Sequence, residues 1–189
     1  MTTKDFENFK NQVWCTRVSR INAEKRLIAK EKFIQFINIY YSCVTVIFSI
    51  MSYVNCDNNL SEITIYMTIS LLISIFYLNS QNYPRHAREY RENYTSLQDI
   101  EFSLKHLSEN DEEKIKQIEK EYCTLLNEYS NHITYDYYCA IHDSNREFKE
   151  KKNWKEIRHF YRLGKLWRFV LKMCFCLLPI FLFCIRGYL

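Results

Sequence analysis

Apolar residues gather into three blocks separated by long polar stretches: Phe33–Val54, Ile63–Leu78 and Val170–Ile185. Residues 33–54 contain no Asp, Glu, Lys or Arg. At 1.5 Å per residue they reach about 33 Å, enough to cross a bilayer core. Residues 63–78 are equally uncharged but reach only about 24 Å. Extension to Leu60 or toward Tyr83, or local thinning of the bilayer, makes up the difference. The polar turn 55–62 joins the two, so the pattern predicts a transmembrane hairpin with spans 33–54 and 63–78. The third block carries Lys172 near its start and Pro179 in its middle. A lysine there can snorkel to the interface, and a spanning helix tolerates proline. Residues 169–189 are therefore expected to form a third membrane segment and tail, with a re-entrant or interfacial course as the alternative.

The polar stretches have helical periodicity. Residues 1–32 place Phe6, Phe9, Val13, Trp14, Val18, Ile21 and Leu27 at helical spacing, predicting a basic helix that runs into the first span. In 83–107, Tyr83, Ala87, Tyr90, Tyr94, Leu97, Leu104 and Leu107 fall on one seam with Ile100 beside it. Ser108–Asp111 break the pattern. Residues 111–143 then repeat Ile115, Ile118, Tyr122, Leu125, Tyr129 and Asp136. These stretches predict an antiparallel coiled-coil hairpin. Residues 145–168 add an amphipathic aromatic stretch with Phe148, Trp154, Ile157, Phe160, Tyr161, Leu163 and Trp167. The fold class expected is an all-α membrane protein: a transmembrane helical hairpin, cytoplasmic coiled-coil helices over 79–168, and a C-terminal third membrane segment.

Lysine and arginine set the orientation. Residues 1–32 hold eight of them, the 55–62 turn none, and Arg85, Arg88 and Arg91 follow the second span. The N-terminus and residues 79–168 are thus expected on the cytoplasmic side of a multi-pass inner-membrane protein. Basic and acidic residues balance at 16 each over 79–168, a largely solvated face. The net charge of +4 is too small to diagnose a nucleic-acid binder. Two Gly in the chain exclude P-loops and G-x-G-x-x-G turns. Eight Cys are present, but no C-x-x-C. Several of them lie in apolar runs, where cysteine acts as a small hydrophobe. Residues 1–32 offer no apolar core for a cleaved leader.

No catalytic constellation has useful spacing, and the expectation is a non-enzyme without cofactor or metal. His132 and His142 lie near Asp136 and Asp143 on one predicted helix, without a second ligand pair. The membrane hairpin is more informative. Asn38, Ser42, Thr45, Ser49 and Ser52 recur at steps of 4, 3, 4 and 3. In the second span Tyr66, Ser70, Ser74, Tyr77 and Gln81 form a similar row. Such stripes serve helix–helix packing, or line water in an oligomer. Asn38, Ser42, Thr45, Ser49, Ser52, Ser70 and Ser74 are the candidate pore-lining residues. Arg17, Arg20, Lys25 and Arg26, with Arg158 and Arg162 ahead of the third block, are candidates for binding anionic lipid or a partner.

The segment Trp14-Cys15-Thr16-Arg17-Val18-Ser19-Arg20-Ile21-Asn22-Ala23-Glu24-Lys25-Arg26-Leu27 leads into a hairpin, and Arg88-Glu89-Tyr90-Arg91-Glu92-Asn93-Tyr94-Thr95-Ser96-Leu97-Gln98 follows it. Together they resemble the SLATT domain, the SMODS and SLOG-associating two-transmembrane effector of prokaryotic conflict systems, over roughly residues 10–185. The third block, with Asn153-Trp154-Lys155-Glu156-Ile157-Arg158 before it, resembles the longer subfamily found beside reverse transcriptases. The resemblance implies a pore-forming effector that permeabilises the inner membrane when a partner senses phage or produces a signal. The partners it implies are further copies of the chain, inner-membrane lipid, and a reverse transcriptase or its nucleic-acid product, or a nucleotide second-messenger system. A non-conducting membrane anchor or scaffold for a cytoplasmic enzyme is the alternative.

Overall fold

Helix α1 is one uninterrupted run, Thr3–Asn55. Nothing in residues 3–55 breaks it, since they contain neither Gly nor Pro. The computed structural model describes residues 2–55, 58–129, 131–144 and 154–185. The further helices are α2 Asn58–Ser80, α3 Tyr83–Lys105, α4 Glu112–Glu128, α5 Thr134–His142 and α6 Trp154–Ile185. No strand occurs among the described residues, so the all-α expectation holds. The chain forms two compact units. The first comprises Met1–Ile28 and Pro84–Gly164, the second Ala29–Tyr83 and Lys165–Leu189.

The first unit buries an apolar cluster of Phe6, Phe9 and Val13 from α1, Leu97, Ile100 and Leu104 from α3, and Ile115 and Tyr122 from α4. Phe9 meets Tyr122 edge to face at 5.7 Å. The expected two-helix seam is therefore completed by a third helix. A ridge of only two helices would leave Leu97 and Ile100 half wet, and the Phe6–Phe9–Val13 stripe covers them. Residues 111–143 are also not one helix: α4 ends at Glu128, and Tyr129 is extended. Helix α5 restarts at Thr134. Its N-terminus is held by Asp136, whose carboxylate accepts from the Ile133 amide at 3.3 Å. His132 consequently lies ahead of α5 rather than on one helix with His142. His142 instead stacks on Tyr161 at 4.1 Å and Trp154 at 5.4 Å, tying α5 to the start of α6. A Cβ on Gly164 would stand 2.6 Å from the Tyr135 ring, so glycine allows that close approach. Phe148 and Asn153, part of the expected aromatic stretch, lie outside the described residues.

In the second unit, α1, α2 and α6 each have the length and hydropathy to cross a membrane. Helix α2 begins at Asn58, earlier than the 55–62 turn suggested, because Leu60 is buried among Phe48, Ile63 and Met67. Cys56 and Asp57 of that turn lie outside the described residues, as does the tail 186–189. Tyr41, Val44, Met51, Leu182 and Phe183 pack around the cluster. Elsewhere the helices present large apolar side chains outward, with Ile39 67%, Phe76 68% and Phe181 63% exposed. That is the inversion expected where lipid is the solvent.

Pro179 sits inside α6 without ending it. Proline has no N–H, so the carbonyl four residues back loses its helical partner. That carbonyl belongs to Phe175, and the Tyr41 hydroxyl donates to it at 2.8 Å. Tyr40 donates to the neighbouring Cys176 carbonyl at 3.0 Å. The Lys172 ammonium lies 5.0 Å over the Phe33 ring.

Candidate functional site

The apolar stripe of α1 turns polar one turn after Val13. Arg17 Nε donates to Glu101 at 2.7 Å. Thr16 and Tyr122 share a hydrogen bond of 2.8 Å. Arg20 is fully buried. Glu24, also buried, receives Arg91 at 2.6 Å. Arg26 grips Asp136 with two prongs, 2.9 and 3.0 Å, and Asp136 is 1% exposed. Arg17, Arg20 and Arg26, candidates for binding anionic lipid or a partner, are each engaged within the first unit. Arg17 and Arg20 continue the helical phase of the packed stripe, whereas Arg26 lies off it and is held by Asp136. Of that set only Lys25 is exposed, while Arg158 and Arg162 lie exposed on α6.

Among the described residues Arg20 is met by an amide and a carbonyl rather than a carboxylate. Nη1 donates to the Asn93 side-chain oxygen and, at 3.4 Å, to the Leu125 carbonyl. Asn93 in turn donates to the same carbonyl at 3.0 Å. Leu125 supplies one of the last four carbonyls of α4, which lack helical partners and form the negative pole of that helix. The cation thus meets a helix C-terminus. Burial nonetheless pulls the guanidinium below its usual value. Its Nε and Nη2, and Nδ1 of His132, are buried without hydrogen-bond partners. His132 is also held below its ordinary value, first by burial and then by Arg20, with Asp136 opposing. Burial pushes the Tyr122 hydroxyl up. Asn93 is fully buried and does not stand out in the sequence. Its position three residues after Tyr90 and four before Leu97 is the one signal the chain offers.

The candidate pore-lining residues all lie in the second unit. Ser42, Ser49, Ser70 and Ser74 are exposed, while Asn38, Thr45 and Ser52 are half-buried. Ser42 bonds back to the Asn38 carbonyl at 2.7 Å and Thr45 to that of Tyr41 at 2.8 Å. Intrahelical bonds of this kind let a hydroxyl sit in an apolar helix at small cost. The contact joining the helices runs instead through Phe48, Leu60, Ile63 and Met67. The exposed serines of both stripes therefore take no part in that seam. No group of three or more His, Cys, Asp or Glu able to hold a metal occurs among the described residues.

An all-α chain with three bilayer-length apolar helices and a helical unit with a polar-lined core is a membrane protein. Sequence comparison places it more closely: the chain belongs to the SMODS and SLOG-associating 2TM effector domain family 5, which it matches over residues 2–185. The matched region takes in all three candidate spans, one more than the two in the family's description. No curated protein and no solved structure matches the chain.

Proposed function

We propose that the chain is a pore-forming effector whose copies assemble in the inner membrane and permeabilise it when a conflict-system partner is triggered. The observation that carries this reading is the outward position of Ser42, Ser49, Ser70 and Ser74 on helices otherwise coated with lipid-compatible side chains. These four serines lie outside the apolar cluster that joins the helices and are open to a second copy or to water. Three helices cannot enclose a conduit alone, so conduction requires several copies. In this reading the N-terminus and residues 79–168 are cytoplasmic, by the lysine and arginine asymmetry. Arg158 and Arg162 are exposed ahead of the apolar part of α6, where they suit anionic headgroups. The trigger is a reverse transcriptase with its nucleic-acid product, or a nucleotide signal. The function needs no catalytic residue or cofactor.

Induced expression in cells with a membrane-impermeant dye tests the reading. Dye entry and collapse of the membrane potential on triggering are expected. Full membrane insertion with an intact potential under every trigger would favour the non-conducting anchor or scaffold.

A further inference from the structure

Within the second unit, α1 and α6 lie side by side and run in the same direction. Lys172 meets Phe33, Tyr41 and Tyr40 meet the Phe175 and Cys176 carbonyls, and Phe48 meets Phe183 at 5.5 Å. Lys172 thus belongs to the row of α6 that faces α1. Carried back by four and then three residues, that row passes through Arg168 and Lys165. On α1, three residues back from Phe33 stands Lys30, whose ammonium lies 5.3 Å over the Tyr83 ring. The seam is aromatic and apolar along the spans and cationic at this end.

Lys30, Lys165 and Lys172 are exposed and Arg168 is half-buried. Residues 29–33, 78–83 and 165–172, which form this end of the unit, hold five basic residues and one acidic, Glu31. Glu31 accepts from Gln35 on its own helix at 3.1 Å. The ammonium groups of Lys30 and Lys172 rest over rings, an attraction that leaves their N–H donors for an anion. Lys165 and Lys172 stand about 10 Å apart along α6. Like charges gathered over two turns repel one another, and an anion between them relieves the repulsion.

We infer that this end of the α1–α6 seam binds the phosphate headgroup of an anionic bilayer lipid. Depth selects a lipid over a soluble anion. Lys172 follows Phe169-Val170-Leu171 and precedes residues 173–185, which carry no charge. A lysine so placed reaches for the membrane interface, and basic pockets between spanning helices there take anionic headgroups. Phe36, Phe169 and Leu171 are exposed on the adjoining turns. They offer acyl chains an apolar surface that a free phosphate would leave uncovered. The inference rests on the chain being a membrane protein, not on its conducting.

Native mass spectrometry of the full chain in mild detergent, titrated with phosphatidylglycerol or phosphatidylcholine, tests the inference. Preferential retention of phosphatidylglycerol is expected. Lys165→Gln/Lys172→Gln should weaken that retention about tenfold, as the loss of two cations near a headgroup predicts. Lys165→Arg/Lys172→Arg should keep it. Lys116→Gln/Lys120→Gln removes the same charge from α4 and should change nothing. All four lysines are exposed, so unchanged helicity is expected of every variant. Equal retention of the two lipids, or an equal loss in the α4 variant, overturns the inference. Displacement of phosphatidylglycerol by millimolar inorganic phosphate assigns the site to a free anion and overturns it as well. Absence of dye entry in cells would refute conduction and leave this site standing.

Discussion

Tyr41 donates its hydroxyl to the Phe175 carbonyl, the backbone group that Pro179, four residues later, leaves without a helical partner. In water such a carbonyl would be solvated, but in hydrocarbon it must find a donor on another helix. The contact therefore explains how the third apolar helix keeps a mid-helix proline. Tyr41→Phe should lower the stability of the second unit by about 1 kcal/mol, within the range for interhelical hydrogen bonds in membranes. Pro179→Ala in the same background should recover the loss, because the restored amide serves the carbonyl. The check is unfolding in mixed micelles, and equal losses with and without Pro179 would sink the explanation.

Arg26 and Asp136 form a two-pronged ion pair whose carboxylate is almost fully buried. Removing one partner strands the other charge, so Asp136→Ala should cost about 3–5 kcal/mol. Replacing both with Arg26→Met and Asp136→Leu should cost much less, since no charge is left behind. Tryptophan fluorescence during urea unfolding reports the effect. Trp14 and Trp154 lie beside the buried Cys15–Ile141–Ile157 cluster of the same unit. A double variant as unstable as Asp136→Ala would show that the pair is not a charge-compensated unit.

Asn93 stands between the Arg20 cation and the end of α4. Asn93→Leu should destabilise the first unit by about 2–3 kcal/mol, because it removes hydrogen bonds from a buried charged group. Adding Arg20→Met should return part of that loss. Strict additivity of the two changes in chemical unfolding would mean that they do not act through each other.

The alignment of buried and polar residues on α1 shows what was legible in the sequence. The spans were readable because an uncharged run of bilayer length fits few structures besides a membrane helix. The Leu97, Leu104 and Ile115 seam was readable from its spacing. The roles of Arg17, Arg20 and Arg26 were not, because charge counting treats every lysine and arginine before a span as a membrane flank. For Arg17 and Arg20 the distinction lies in phase, since with Glu24 they continue the Phe6–Phe9–Val13 stripe while Lys25 points away from it; Arg26 lies off the stripe and is engaged only through Asp136. Their partners Asn93, Glu101 and Asp136 lie 73 to 110 positions distant, beyond any local pattern. The break between α4 and α5 was hidden because Tyr129 and Asp136 happen to keep the helical count.

His132 gives the first unit an acid sensitivity. Its folded-state value lies below the ordinary 6.5 through burial and the Arg20 charge, with Asp136 pulling the other way. The folded unit therefore binds fewer protons than the unfolded chain as pH falls below about 6.5. Stability should be full above that pH and decline beneath it, down to the depressed folded value. His132→Gln should flatten the decline in denaturant midpoints measured between about pH 7 and 5. An unchanged slope in the variant would assign the acid response to other groups.

In the proposed effector, exposed hydroxyls on the membrane helices meet water once copies assemble. The most direct measurement is dye release from liposomes of bacterial lipid reconstituted with wild-type or Ser49→Leu protein, with oligomer size followed in parallel. Ser49 is exposed and lies outside the Phe48–Leu60–Ile63–Met67 seam, so the larger side chain should leave the protomer folded. A leucine ring lining a narrow conduit blocks conduction by dewetting. The predicted result is an assembled Ser49→Leu protein that releases little dye, while wild type and Ser49→Ala release it freely. Wild-type release from an intact Ser49→Leu oligomer would contradict the proposal.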